Sequence, residues 1–421
     1  MIGLFAKGRA AWLTASVAFA LAASFGTLAR AQTATPAEPT PITVGDAHIV
    51  RSAVLNEDRR IMVHLPAGYE GSQQRYPVLY LLDPEDHFLH VSGVVDFLAS
   101  RGRIPPIIVV GVANTQRNRD LTPSAAVTTY REEMPALGTT LSMDVEGSGG
   151  AEGFRAFLKS ELLPWVDREY RTADFQILAG HSFGGLFAID AFAADPELFD
   201  AYIAASPSLW WDEEALVRRL GQRLPDFSTP HWLYLSTGSE EGGPMLGGLE
   251  HLAAVLEISA PTSLRWSAGV LGGATHAMAP HQVFYDGLQW LFADYALSER
   301  VSITGDLARI EAHFADASRV YGIDLSPTEE QVNGMGYTQL SVFHDPANAV
   351  AIFRRNVALY PASANARDSL ADGLEATGQR LEGLREREEA VRLAIASNDP
   401  RLEAFRANLA LARERIAGEG R

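Results

Sequence analysis

Residues 175–192 read FQILAGHSFGGLFAIDAF, and this stretch decides the fold. An apolar run typical of a buried strand leads into a run of helical character. Between them, Gly180, Ser182 and Gly184 form a G-x-S-x-G pattern. A serine on so tight a turn needs glycine two residues away on either side, because side chains there would clash. The pattern predicts that Ser182 is a nucleophile and that the Phe183 N–H, at the helix start, stabilises an oxyanion; the alternative is a glycine-rich turn with an idle serine.

Apolar runs that predict strands recur on both sides of this stretch and are separated by helical patterns. The apolar spacing over 154–170 predicts a helix, and 283–297 is expected to be the last helix packed on the sheet. Strands that alternate with helices predict an α/β fold, a mostly parallel sheet with helices on both faces. The predicted strands are 61–65, 76–82, 107–112, 175–179, 202–205, 232–235 and 262–266.

The first 31 residues have the features of a secretory signal. A short basic start is followed by an uncharged apolar stretch and by Ala29-Arg30-Ala31, an A-x-A cleavage site. A membrane anchor is the alternative, but the stretch is rich in small residues. We expect a signal peptide over 1–31, a flexible leader over 32–42, and a periplasmic or secreted protein of bacterial type with no stable membrane insertion after signal removal.

Composition narrows the classes of function. The chain of 421 residues has no cysteine, so disulfides, thiolate metal sites and cysteine nucleophiles are excluded. Its net charge of −17 argues against nucleic acid as a partner. No pair of histidines has the helical spacing of zinc ligands, and no glycine-rich phosphate loop is present, so we expect neither a metal nor a cofactor.

The chain beyond residue 298 differs from the rest. It is helical in pattern, rich in Arg and Glu, and lacks the apolar runs of buried strands. The spacing over 349–378 resembles a tetratricopeptide-type helical repeat, and about two degenerate units are expected. We therefore expect a catalytic domain over 43–298 and a helical tail over 299–421 that packs on it.

A serine nucleophile needs a base and an acid, and in α/β-hydrolases these follow it in the order acid, then histidine. His276 lies in a small-residue loop between a predicted strand and the last helix, which makes it the expected base, with His281 as the fallback. The loop after strand 232–235 offers Glu241, which we prefer, and Glu240; Asp212 is a further candidate acid.

The second oxyanion donor is expected in the loop after strand 76–82. Pro84 has no N–H, so the donor is expected to be Glu85 or its neighbour Asp86.

The motifs together resemble the esterase D group of α/β-hydrolases, also called the putative esterase family, which includes siderophore trilactone esterases and S-formylglutathione hydrolases. The resemblance covers about residues 43–298. With the helical tail, it is nearest to periplasmic siderophore-esterase-like proteins. The residues that carry it are Leu81-Leu82-Asp83, Asn114-Thr115, Arg117 to Pro123, Phe157-Leu158, Glu161 to Trp165, Ala179 to Leu186, Ser206 to Asp212, and the His276 loop.

The resemblance implies a serine esterase with a small-molecule ester substrate, but it does not specify the ester. The family usually has glycine where this chain has Pro84. By the family's layout, Arg117, Arg119, Trp210 and Trp211 flank the cleft and contact substrate; alternatively, the arginines are surface charges and the tryptophans belong to the core. Two other functions stay open: an acyltransferase with the same triad, and a non-catalytic scaffold whose tail binds a protein partner.

Overall fold

A computed structural model describes residues 41–125, 130–134, 139–143 and 145–419. The predicted signal peptide over 1–31 lies outside the described residues, as does nearly all of the predicted leader. Residues from Thr43 onward form one compact unit that includes the tail. The domain division at residue 298 stays a prediction.

The central strands of the main sheet follow the continuous apolar runs of the sequence, because strands buried on both faces carry apolar side chains throughout. The bounds of the strands are β1 Asp46–Ser52, β2 Glu57–His64, β3 Tyr76–Leu82, β4 Ile108–Val112, β5 Tyr130–Met134, β6 Thr139–Met143, β7 Thr172–His181, β8 Ala201–Ala205, β9 His231–Gly238 and β10 Leu264–Leu271.

In the described part of the chain, eight of these strands form one sheet in the order β1-β2-β4-β3-β7-β8-β9-β10. The pairs from β4 through β10 are parallel, whereas β1 and β2 are antiparallel additions at one edge. Strands β5 and β6 form a separate antiparallel hairpin. The predicted α/β-hydrolase fold with a mostly parallel sheet is confirmed.

Helices connect the strands and then continue into the tail. Their bounds are α1 Pro84–Ser100, α2 Arg117–Leu121, α3 Ala151–Phe157, α4 Leu163–Glu169, α5 Phe183–Ala194, α6 Trp211–Gln222, α7 Gly243–Ser259, α8 Ala279–Leu291, α9 Glu299–Thr304, α10 Leu307–Tyr321, α11 Glu329–Ser341, α12 Pro346–Leu359, α13 Ala364–Ala376, α14 Arg380–Ala396 and α15 Leu402–Glu419.

Two predicted helices differ from the observed ones. The helix expected over 154–170 is interrupted by a π-helical segment, Leu158–Leu162, which joins α3 to α4. The helix expected over 283–297 begins earlier and ends at Leu291. Periodicity locates an apolar face, but it does not define where backbone hydrogen bonding changes.

The tail packs on the catalytic region through aromatic rings. Tyr321 of α10 stacks on Trp232 of β9 at 5.4 Å between ring centroids, and its ring also meets Phe175 and Phe292 at 5.5 and 5.3 Å. Its hydroxyl donates a hydrogen bond of 2.7 Å to the Leu291 carbonyl. These buried contacts join α10 to the sheet and α8.

The end of the tail is built from two helical hairpins, α12–α13 and α14–α15. Helices α12 and α14 begin at Pro346 and Arg380, a separation of 34 residues, which is the length of a tetratricopeptide unit. The repeat itself stays a prediction. No helix of the described chain has the length and apolarity needed to cross a bilayer.

Parallel strands place all their carboxyl ends at one edge of the sheet, where ligands bind in open α/β folds. At this edge, loops from five strands bring together residues that are far apart in sequence. These residues are Asp83 after β3, Asn114 after β4, Ser182 after β7, Ser206 after β8 and Glu241 after β9.

Candidate active site

Ser182 stands on a strained turn between β7 and α5. Its φ and ψ are 59° and −117°, a conformation that non-glycine residues rarely adopt. A Cβ added to Gly180 would lie 2.4 Å from the Gly184 carbonyl, so the turn closes only with glycine there. Strain of this kind presents the serine hydroxyl at the end of the sheet.

The backbone of Ser182 is held on both sides by the turn that follows β8. Its N–H donates to the Ala205 carbonyl at 3.0 Å, and its carbonyl accepts the Ser208 N–H at 3.1 Å. The Ser182 hydroxyl lies 3.4 Å from the Ser208 hydroxyl. Within the described residues it has no hydrogen bond to His276, and such contacts often form only when substrate is bound.

His276 and Glu241 are brought together from adjacent loops. The Nδ1 atom of His276 lies 2.6 Å from Oε2 of Glu241. Because an ionised carboxylate only accepts hydrogen bonds, this nitrogen carries the proton and Nε2 is left to act as a base. The Glu241 side chain is 1% exposed and that of His276 is 42% exposed, so the acid is buried while the imidazole meets solvent.

Glu241 is held ionised despite its burial. Burial is the largest influence and raises its pKa, but hydrogen bonds from His276, Ser206 and the Gly238 N–H together outweigh it, and the pKa lies below its ordinary value. The Ser206 hydroxyl and the Gly238 N–H both donate to Oε1, at 2.6 and 2.7 Å. A buried, ionised carboxylate beside an imidazole is the arrangement that stabilises an imidazolium.

The other acids and the fallback base lie elsewhere. Glu240 accepts a 3.5 Å hydrogen bond from its neighbour Ser239, and the Asp212 carboxylate accepts one of 2.8 Å from Ser124. The imidazole of His281 meets that of His90, with 3.3 Å between the Nδ1 atoms. Of the candidate acids, the structure brings Glu241 to His276.

His181, the residue before Ser182, supports the His276 loop. Its Nε2 donates to the His276 carbonyl at 3.0 Å, and the two rings lie 4.5 Å apart. Burial, with smaller effects of His276 and His87, lowers the pKa of His181 from its ordinary 6.5 to about 2. His181 therefore stays neutral and adds no competing positive charge beside the base.

The expected oxyanion donors lie at two helix N-termini. Phe183 is the first residue of α5, and Glu85 lies in the first turn of α1, where backbone N–H groups have no preceding helical carbonyl. A Cβ added to Gly184 would lie 3.1 Å from Oδ2 of Asp83, so the two helix starts are in contact range. The Asp86 N–H donates to the Asp83 carbonyl, which leaves Glu85 the better candidate.

Arg117 lies against this region. Its guanidinium donates to both carboxylate oxygens of buried Asp83, at 2.7 and 2.8 Å, and lies 5.3 Å from the ring centre of Phe183. The side-chain amide of Asn114 donates to the same carboxylate at 2.5 Å. Arg117 is 36% exposed, so it can face a ligand, but much of its charge is balanced by Asp83.

Arg119 and Trp211 do not fit the expected role in substrate contact. Arg119 forms a bidentate pair with Glu57 and a further bond to Asp120, and hydrogen bonding to Glu57 raises its pKa. Trp211 is buried in the core, and its indole N–H donates to Ser124. Trp210 is half-buried, with its N–H 3.0 Å from the Met245 sulfur. Apart from Asp120, the neighbour of Arg119, these partners are distant in the chain, so local sequence did not reveal them.

Several residues of the site were not assigned a role from sequence: Asp83, Asn114, His181, Ser206 and Ser208. Each belongs to one of the motifs that carry the family resemblance. Its position near a strand end was therefore the signal that could have assigned it to the site. Strand-end position indicates that a residue lies near the site, but it does not identify its partner. No group of three or more metal-binding side chains is found among the described residues.

Comparison with known proteins agrees with this geometry. Residues 52–247 match the family model described as "Putative esterase". Ferri-bacillibactin esterase BesA of Bacillus subtilis is 31% identical over 173 residues, which cover 37% of this chain and 53% of BesA. The siderophore enterobactin esterase of Emericella nidulans is 36% identical over 149 residues, which cover 33% of this chain and 46% of that protein. The chain thus spans about half the length of these curated relatives.

A solved structure agrees over a larger part of the chain. The IroE-like serine hydrolase from Shewanella oneidensis superposes with a TM-score of 0.62 at 28% identity, covering 73% of this chain and 97% of that one. By sequence over residues 52–247 and by fold over a larger part, this chain is similar to the esterase family and to siderophore esterases. The resemblance predicted from the motifs is confirmed, although none of these matches bears on the tetratricopeptide-like character of the tail.

Proposed function

We propose that this protein is an exported serine esterase that hydrolyses siderophore-type esters or lactones through Ser182, His276 and Glu241. The observation that carries the proposal is that a strained serine and a hydrogen-bonded histidine–carboxylate pair lie at the same edge of the sheet. The esterase relatives support the same reaction class.

In the proposed acylation step, Ser182 Oγ attacks the ester carbonyl while Nε2 of His276 takes the serine proton. Negative charge develops on the carbonyl oxygen, where the N–H groups of Phe183 and Glu85 stabilise it. The imidazolium is stabilised by the Glu241 carboxylate and returns its proton to the leaving alcohol. The products of this step are the free alcohol and an acyl group on Ser182.

Deacylation repeats these steps with water as the nucleophile. His276 removes a proton from water, water attacks the acyl carbonyl, and Ser182 leaves with the returned proton. None of these steps calls on a metal or cofactor.

The substrate class is inferred from relatives and from two side chains. BesA and the Emericella nidulans relative are named for ferri-bacillibactin and enterobactin. Arg117 and Trp210 are the two expected contact residues that are partly exposed beside the Phe183 ring. A cation and an indole suit an anionic or aromatic acyl group. Export rests on the signal-like sequence of residues 1–31 alone.

The test is hydrolysis of p-nitrophenyl acetate, p-nitrophenyl butyrate and a catecholate trilactone by the full chain and by Ser182→Ala. We expect turnover that falls by about 10⁴- to 10⁶-fold in the variant. Preference for the trilactone over the model esters would support the substrate class. Equal turnover in both proteins, or none in either, would contradict the proposal.

A further inference from the structure

A short turn, residues 205–208, contacts both halves of the site. It holds the Ser182 backbone through the Ala205 carbonyl and the Ser208 N–H. It also reaches the acid, because the Ser206 hydroxyl donates to Oε1 of Glu241 at 2.6 Å. One turn of four residues therefore positions the nucleophile and the acid relative to each other.

Ser206 is set in this turn at a cost in backbone strain. Its φ is 42°, in the left-handed region that favours glycine, and its N–H donates to the Ser236 carbonyl at 2.7 Å. The residue is 0% exposed, so it cannot touch a substrate in the cleft. Strained non-glycine residues persist where the surrounding structure holds them, and they cluster at functional sites.

The Ser206 contact has a geometric consequence for Glu241. The terminal torsion of a glutamate is broad, so a carboxylate is free to rotate unless its oxygens are held. Two donors, the Ser206 hydroxyl and the Gly238 N–H, meet at Oε1. With Oε1 held in this way, Oε2 faces the Nδ1 atom of His276. Hydrogen bonds to an ionised acceptor are short and stronger than neutral ones.

We infer that Ser206 is a positioning residue of this hydrolase, which acts through Glu241 to orient His276 and never contacts the substrate. The inference rests on the proposed function and extends it to a fourth side chain. Ser206 differs from its neighbour Ser208, whose hydroxyl lies near the nucleophile and not near the acid.

The decisive experiment is a double-mutant cycle on ester hydrolysis with Ser206→Ala, Glu241→Ala and the double variant. We expect Ser206→Ala alone to lower kcat by about 10- to 100-fold, the size of a lost hydrogen bond to a charged group, with KM little changed. In the Glu241→Ala background the same substitution should change kcat by less than about threefold, because no carboxylate is left to orient. Equal losses in both backgrounds, or no loss in either, would overturn the inference.

Ser92→Ala is the matched control. Ser92 is also a buried serine, 1% exposed, and its hydroxyl has no hydrogen-bond partner in the described structure, so its removal should leave kcat unchanged. If Ser206→Ala does not fold, as judged by circular dichroism, Ser206→Gly replaces it, since glycine suits a φ of 42°.

A fluorophosphonate that labels the active serine separates failure of the inference from failure of the proposed function. If the wild-type protein neither turns over an ester nor is labelled at Ser182, both the proposed function and the inference about Ser206 are wrong. If labelling is fast in the wild type and equally fast in Ser206→Ala, only the inference about Ser206 is wrong. Slower labelling in Ser206→Ala, with no further slowing in the Glu241→Ala background, would support it.

Discussion

The catalytic edge of the sheet, where the strands end in carboxyl-terminal loops, and the helical tail differ in how their backbone conformations are stabilised. At the catalytic edge, Asp83, Ser182 and Ser206 hold positive φ without being glycine. In the tail, glycine occupies such positions at the ends of α9 and α10, and side chains of Asp306 and Thr328 cap helix starts. Local preference and final structure agree at these tail positions, although His344 and Asn398 of the tail also hold positive φ, and they conflict at the edge.

This difference indicates where function lies. Conflict with local preference persists when other contacts enforce it, and here the enforcing contacts are buried polar bonds to loops from different strands. The tail also contains a buried charge cluster, in which Arg387 donates to Asp368, Asp372 and Glu375 at 2.6 to 3.0 Å. That cluster joins α13 to α14, and none of its contacts reaches the serine turn.

After the loss expected for Ser182→Ala, the next largest effect should distinguish the two adjacent acids at the catalytic edge, Glu241 and Glu240. Glu241→Gln should lower kcat by about 10²- to 10⁴-fold, because an amide neither stabilises the imidazolium nor enforces the tautomer of the neutral imidazole. Glu240→Gln, a matched change one residue away, should leave kcat within about twofold. Steady-state kinetics on any accepted ester checks both. A larger loss of kcat for Glu240→Gln than for Glu241→Gln would show that Glu240, and not Glu241, is the acid.

Substitutions in the tail should lower the free energy of unfolding and leave kcat unchanged. Arg387→Leu removes the buried cation shared by three carboxylates, of which Glu375 keeps a second cation, Arg415, and we expect a loss of about 3–5 kcal/mol in the free energy of unfolding. Urea denaturation measures this loss, and kcat of the folded variant should match wild type. Arg406→Leu, which removes an exposed pair with Glu403, is the control and should have little effect. A fall in kcat for folded Arg387→Leu would show that tail and site are coupled.

The stability that Glu241 contributes should depend on pH. The folded-state pKa of Glu241 lies below its ordinary 4.5, so ionised Glu241 adds stability above that pH. This contribution is lost as the pH falls from 4.5 through the lower folded-state pKa. We expect the unfolding free energy of wild type to fall more steeply in this window than that of Glu241→Gln. Parallel urea titrations at several pH values measure the slopes, and equal slopes would contradict the assignment.

The smallest expected effect is the loss of stability on removing a helix cap in the tail. The Thr328 hydroxyl caps α11 by accepting a hydrogen bond from the Gln331 N–H, and the side-chain oxygen of Gln331 accepts one from the Thr328 N–H. Thr328→Ala should reduce stability by about 1 kcal/mol, with esterase activity unchanged. Thermal unfolding provides the measurement, with Thr338→Ala in the last turn of the same helix as the comparison. A loss several times larger would mean that the cap also holds the tail against the sheet.

Prediction from sequence succeeded where signals were local. Strand β3 was predicted with its observed bounds, because a strand buried on both faces is continuously apolar. The half-exposed β1 was missed, since an edge strand lacks such a run. Ser182 was found because its glycines and both flanking elements lie within a short stretch of chain.

Roles that depend on distant partners were less accessible. Glu240, Glu241 and Asp212 all follow strands, and the choice among them depends on how each loop folds. The expected contact residues Arg119 and Trp211 proved to have ion-pair and core partners that no local pattern reveals.

The sequence by itself determined the α/β class, the strained Ser182 turn and the resemblance to the esterase family, because apolar periodicity and steric limits on glycine act between near neighbours. Only the tertiary structure decided which acid meets His276, that Arg117 pairs with Asp83, and that Ser206 bridges to Glu241. These contacts join loops from different strands, and their distances follow from the packing of the whole sheet rather than from any spacing in the chain.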